Sequence, residues 1–107
     1  MTRDELKTHV LEVLHSGPES YRALVRDLAA AHPDLPARAL EDALGTAAAE
    51  MDAAIVRHGS STNEARTARR LALLLGMDID RVQKGNPPTL GALFAYWTRE
   101  DDFFLRL

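Results

Sequence analysis

Leucine and alanine recur every three or four residues along most of this chain, in runs closed by glycine, proline or a serine or threonine cap. That spacing follows the turn of an α-helix rather than the two-residue alternation of a half-buried strand. Residue choice agrees: of the 49 apolar residues 33 are Leu or Ala, while Val and Ile together number seven. Leu and Ala are strong helix formers, and the β-branched pair favours strands. The expectation is an all-α fold, a single compact bundle of about five helices, with residues 1–107 as one helical domain. Folding a chain of this length buries roughly 65% of its extended surface, enough for one self-sufficient core.

The boundaries are punctuated locally. Thr2 and Glu5 make a T-x-x-E capping box, so a first helix starts at Arg3, with Leu6, Val10, Val13 and Leu14 on one face. Ser16-Gly17-Pro18 stops it. A second helix covers roughly Glu19 to Ala31, turning Tyr21, Leu24, Val25 and Leu28 inward, and His32-Pro33-Asp34 closes it. Pro36 suits the first turn of a third helix, whose stripe of Leu40, Leu44, Ala47, Met51 and Ile55 carries it to about Val56. Ser61 and Glu64 open a fourth helix with Ala68, Leu71, Ala72, Leu74 and Leu75 inward, and Gly76 reads as its C-terminal cap. Asp78 then caps a short helical segment ending at Gly85. Thr89 caps a last helix carrying Leu90, Leu93, Phe94 and Trp97, which either continues through "TREDDFFLRL" or restarts there.

Composition excludes several functions. With no cysteine there are no disulfides, thiolate metal sites or cysteine nucleophiles, which fits a cytoplasmic protein. The start, "MTRDELKTHVLEVL", has the wrong charge order for a signal peptide. The longest apolar run, "LALLL", is far short of the ~20 residues of a membrane span, so no membrane association is expected.

Reactive groups do not gather. His9, Glu12 and His15 lie three apart, which turns the two imidazoles about 120° from one another around a helix, so no metal site is expected. His32 and His58 sit near helix ends, where an imidazolium suits the helix dipole. No nucleophile motif and no glycine-rich phosphate loop occurs, and paired acids such as Glu41-Asp42, Asp78/Asp80 and Asp101-Asp102 read as solvated faces and caps. No catalytic residue and no cofactor is expected.

The charge pattern is more specific. Net charge is −3, from 13 basic and 16 acidic residues, which disfavours a dedicated nucleic-acid binder. Yet the window from Arg57 to Arg70 holds four arginines against one acid, Glu64. Arg66, Arg69 and Arg70 share one helical face opposite the leucines, suited to phosphates or to an acidic partner surface. "RRLALLLGMDIDRV" resembles the repressor-type helix-turn-helix, with Ala72 in the first helix, Gly76 at the turn and Val82 six residues beyond. "KGNPPTLGAL" is similar to the turn after that family's recognition helix. The resemblance covers about 25 residues and implies DNA reading through Arg57, Arg66, Arg69 and Arg70. The departure is a second segment about one turn short, carrying Asp78 and Asp80 where phosphates would lie. Upstream, three helices followed by "AAIVRHGSS" look like a winged helix, but no returning strand follows to pair as a wing.

The C-terminal "TREDDFFLRL" is acidic and aromatic. Trp97, Phe103, Phe104 and Leu107 either complete the core or bind a partner's groove. The reading is a cytoplasmic, non-enzymatic helical binding or regulatory module acting on a protein partner, a second copy of itself included. A DNA-binding transcriptional regulator is the alternative.

Overall fold

The computed structural model describes residues 2–16, 23–55, 63–83, 85–100 and 102–106. Among them the chain forms six helices: α1 (Arg3–His15), α2 (Leu24–Ala31), α3 (Ala37–Ile55), α4 (Asn63–Val82), α5 (Leu90–Arg99) and the single turn α6 (Phe103–Arg106). No strand occurs among the described residues, and 82% of them are helical, so the fold is an all-α bundle.

α1 begins as its capping box dictates. The Glu5 backbone N–H donates to Thr2 Oγ1 at 3.2 Å, and the Thr2 N–H donates to Glu5 Oε1 at 3.2 Å. Leu6, Val10 and Leu14, spaced at four, form its buried edge against the core, while Val13 is half-buried. The described part of the second helix begins at Leu24, with Leu24, Val25 and Leu28 inward as expected, and Tyr21 lies outside the described residues.

α3 and α4 form an antiparallel hairpin that is the frame of the molecule, and α1 packs across α3. Charged rungs on its surface mark the pairing. Near one end Arg69 of α4 is ion-paired with Asp52 of α3. Near the other, Arg38 Nη2 donates to Asp80 Oδ1 at 2.8 Å, and Arg38 Nη1 to Glu41 Oε1 at 2.9 Å. Buried alanines at 43, 47, 48, 65 and 68 keep side chains small on both helices, and Leu40, Leu44, Leu71, Leu75 and Ile79 fill the space between layers.

One boundary differs from the sequence reading. α4 does not stop at Gly76: it runs unbroken to Val82. Gly76 keeps a helical backbone, and among the described residues the glycine that takes a left-handed conformation is Gly85, at φ 90°. The reason is tertiary. Gly76 is buried against α3, and a methyl group there would run into the Glu41 carboxylate. A glycine in mid-helix costs about 1 kcal/mol relative to alanine; here it opens the room that the Glu41 carboxylate occupies.

The second fixed point is a backbone stitch between two distant loops. The Ala37 N–H donates to Pro88 O at 3.0 Å, Leu90 N–H to Leu35 O at 2.8 Å, and Gly91 N–H to Pro33 O at 2.8 Å. These bonds satisfy N-terminal amides of α3 and α5 that helix geometry leaves without partners. Thr89 adds a side-chain cap, accepting from Ala92 N–H at 3.2 Å. The approach is tight at Gly91, where an added Cβ would stand 2.9 Å from Pro33 Cβ and 3.0 Å from Pro33 O.

The chain restarts after α5 rather than continuing it. α5 ends at Arg99, and α6 opens beyond Asp102, whose carbonyl accepts from Leu105 and Arg106 at 3.0 Å each. Thr98 donates its hydroxyl back to Phe94 O at 2.9 Å. α5 and α6 lie against α2, and α5 also touches α4.

Candidate functional site

α4 is a long amphipathic helix, and its outward side differs from an ordinary solvated face. At about 100° per residue, Arg66, Arg70, Leu73 and Met77 fall within one narrow sector. Ala65, Ala68, Leu71, Leu75 and Ile79 occupy the opposite side and are buried. All four outward residues are exposed. Leu73 is 66% exposed and Met77 45%, and among the described residues they are the large hydrophobic side chains left in solvent. One turn apart, they form a small apolar ridge. Isolated exposed apolar residues are ordinary, whereas an adjacent pair on a rigid helix beside a row of charge is a defined surface feature.

The charge beside that ridge is positive. Arg69 is exposed and shares its charge with Asp52. Arg70 has no acidic partner among the described residues. At the other end of α4, Asp80 is held by Arg38, whose guanidinium pKa is raised by hydrogen bonds to Glu41 and Asp80. Arg81 approaches the Asp78 carboxylate at 3.6 Å. Asp78 and Asp80 at the C-terminal end each face an arginine, and Arg70 is the exposed cation that stands beside the ridge. Arg57 lies outside the described residues.

The helix-turn-helix resemblance fails at its turn. Residues 63–82 are one continuous helix, so Gly76 redirects nothing and no separate recognition helix exists among the described residues. Asp78, expected as a cap, points into the protein. It is 5% exposed, and Oδ2 accepts a 2.9 Å hydrogen bond from Trp97 Nε1. A buried indole N–H requires an acceptor, and a carboxylate is a strong one.

Of the two places open to the C-terminal aromatics, the core or a partner's groove, two of them take the core. Trp97 and Phe104 are each 1% exposed and belong to the core. Their ring centroids are 4.8 Å apart, and Phe103, half-buried, meets Phe104 edge-on at 5.3 Å. Leu107 lies outside the described residues. Among the described residues of this set, Phe103 retains partial exposure.

A half-open cavity of about 490 Å³ lies between the start of α1 and the start of α3, lined by Arg3, Asp4, Lys7, Leu35, Ala39 and Asp42, among others. Its charges are of both signs, and Lys7 is tied to Glu50 at 2.8 Å, so it offers no convergent set of groups. Among the described residues no three His, Asp or Glu side chains converge as a metal site would need. No helix among them is long and apolar enough to cross a membrane.

What the sequence reading missed is the Leu73–Met77 ridge. Its signal was present: Leu73 falls off the stripe defined by Ala68, Leu71 and Leu75, and a leucine out of phase on a charged face is a surface leucine. Compared with known protein families, with curated proteins and with solved structures, the chain matches none.

Proposed function

We propose that this protein is a small cytoplasmic, non-enzymatic binding module that works by protein–protein contact through the outward face of α4. The observation that supports this reading is the exposed Leu73–Met77 pair beside Arg70 on a helix held rigid by the hairpin frame. Arginine is among the residue types that contribute most at protein interfaces, and methionine is enriched there. Methionine adds adaptability, because its unbranched side chain fits partner surfaces of different shape.

DNA binding is the second reading, and Arg66, Arg69 and Arg70 on one exposed face favour it. It has lost its turn and its recognition helix, and the apolar ridge has nothing to bury against a phosphate backbone.

A photo-crosslinking amino acid at position 73, introduced in the living source cells, tests the choice. The expected result is a discrete protein adduct that is absent when the same group is placed at Ala95, an exposed position on α5. Nucleic acid at position 73 establishes the second reading, and no position-specific adduct overturns the first.

A further inference from the structure

We infer that α6 is a displaceable cover, and that the Trp97 ring beneath it is a docking site for a phenylalanine-bearing helical segment of a partner protein. The site is separate from the outward face of α4 and does not depend on it.

The cover is fastened by side chains. α6 is a single turn, Phe103–Arg106. The backbone N–H groups of Leu105 and Arg106 both donate to Asp102 O, and the Arg106 guanidinium pairs with the Asp102 carboxylate at 3.0 Å. These three bonds close within the segment and add no link to the bundle. The link is apolar: Phe104 is buried against Trp97, with Phe103 and Leu105 half-buried beside it. One turn does not recover the cost of starting a helix, so α6 folds only as it docks. Burial of one phenylalanine and its two flanking side chains is of the same order as the ordering it must offset. Such a terminal unit opens before the bundle does.

Trp97 stays in place when the cover lifts. Its Nε1 donates to the buried Asp78 carboxylate of α4, a contact in which α6 has no part. Leu90 and Leu93 anchor the same helix in the core. Opening therefore bares an aromatic platform already in its bound orientation, and a preorganised site binds without an ordering cost. The chain's own segment shows what fits: a phenylalanine ring tilted at 40° with its centroid 4.8 Å from that of Trp97. Tilted aromatic pairs at this separation gain energy beyond the area they bury. A second copy would bring the identical turn without the tether that keeps α6 at high local concentration, and is outcompeted. The occupant is a different chain, whose longer helix adds contacts to the shared phenylalanine.

The probe is a synthetic peptide of residues 100–107, Glu-Asp-Asp-Phe-Phe-Leu-Arg-Leu, added to full-length Phe104→Ala protein whose helical circular dichroism is retained. Saturable binding is expected, with Trp97 emission returning toward that of the wild type. Affinity for the wild type should be at least about tenfold weaker, because the tethered segment competes. The same peptide with alanine for its second phenylalanine should not bind. No binding to the folded variant overturns the site, and equal binding of the alanine peptide overturns its chemistry. Wild-type dimerisation that Phe104→Ala abolishes would make the occupant a second copy and overturns the separate partner. Hydrogen exchange of the wild type decides the matter if the variant unfolds. The amides of Leu105 and Arg106 should exchange at least about 100-fold faster than the Trp97 amide and indole N–H. Equal protection would mean that α6 opens only with the whole bundle, and the cover is then no cover.

Discussion

Trp97 Nε1 donates a 2.9 Å hydrogen bond to Asp78 Oδ2, and that pair fastens α5 to the inner side of α4. The carboxylate is 5% exposed and the indole 1% exposed. A buried donor left unpaired costs about 1–3 kcal/mol, more when a charge is involved. Asp78→Ala should therefore lower stability by about 2–4 kcal/mol, and Asp78→Asn, which keeps an acceptor, by about 1 kcal/mol. Urea unfolding followed by the emission of Trp97, the single tryptophan, measures both. Equal loss in the two variants would show that the hydrogen bond is not what matters there.

Two glycines should respond in opposite directions. Gly91 has Pro33 backbone and ring atoms 2.9–3.0 Å from where a Cβ would stand, whereas at Gly45 nothing lies within 4 Å. Gly91→Ala is expected to destabilise by about 1–3 kcal/mol through overpacking, because the opposing atoms belong to a hydrogen-bonded backbone. Gly45→Ala, in an exposed helical position, should stabilise by about 0.5–1 kcal/mol. Thermal unfolding of the two single variants decides it, and a stabilised Gly91→Ala would disprove the tight stitch.

Gly76 and Glu41 should be energetically coupled. A methyl at position 76 meets the Glu41 carboxylate, so Gly76→Ala requires that side chain to shift, and its contact with Arg38 is what the shift puts at stake. In a Glu41→Ala background the obstruction is gone, and the same change should stabilise by about 1 kcal/mol through helix propensity alone. A double-mutant cycle with no interaction energy would mean the glycine has another reason.

This pair also explains where the sequence was legible and where it was not. The Thr2–Glu5 box, the Thr89 cap and the inward stripes of α1, α3 and α4 depend on neighbours within a turn or two, and these were readable directly. Gly76 followed by Met-Asp carries the local signature of a helix end and a new cap. What overrides that signature comes from α3, through Glu41, and from α5, through Trp97. Nothing near residue 76 in the sequence announces either partner. The arginine row was legible as a face, but the ion pair of Arg69 with Asp52 across the hairpin was not.

The first turn of α1 should show an acid-dependent component. Hydrogen bonding from Thr2, through its side chain first and its backbone N–H second, holds the Glu5 carboxyl below its ordinary value of 4.5. A group depressed in the folded state contributes stability that is present above 4.5 and is lost as pH falls through the lower folded value. Lys7 works in the other direction: its pKa is raised above 10.5, chiefly by the hydrogen bond to Glu50. Its contribution is complete below 10.5 and disappears as pH rises through the folded value. Side-chain NMR titration of Glu5 checks the first, with Thr2→Ala expected to raise the value part of the way because the backbone N–H of residue 2 remains. Lys7 in a Glu50→Gln variant checks the second.

The stitch between the Pro33–Pro36 and Pro88–Gly91 loops has a kinetic meaning. Its two sides are separated in the chain by the entire α3–α4 hairpin, so closing it early would require ordering a long loop with little in return. Hairpin contacts are nearer in sequence and can form first. The amides of Leu90 and Gly91 thus act as a latch that engages once α3 has already stacked on α4. In hydrogen exchange from the native protein they should open together with Ala37, as one unit, ahead of the amides in the middle of α3. The last α-helices would then add to a preassembled platform, and the exposed ridge of α4 would exist before the protein has finished folding.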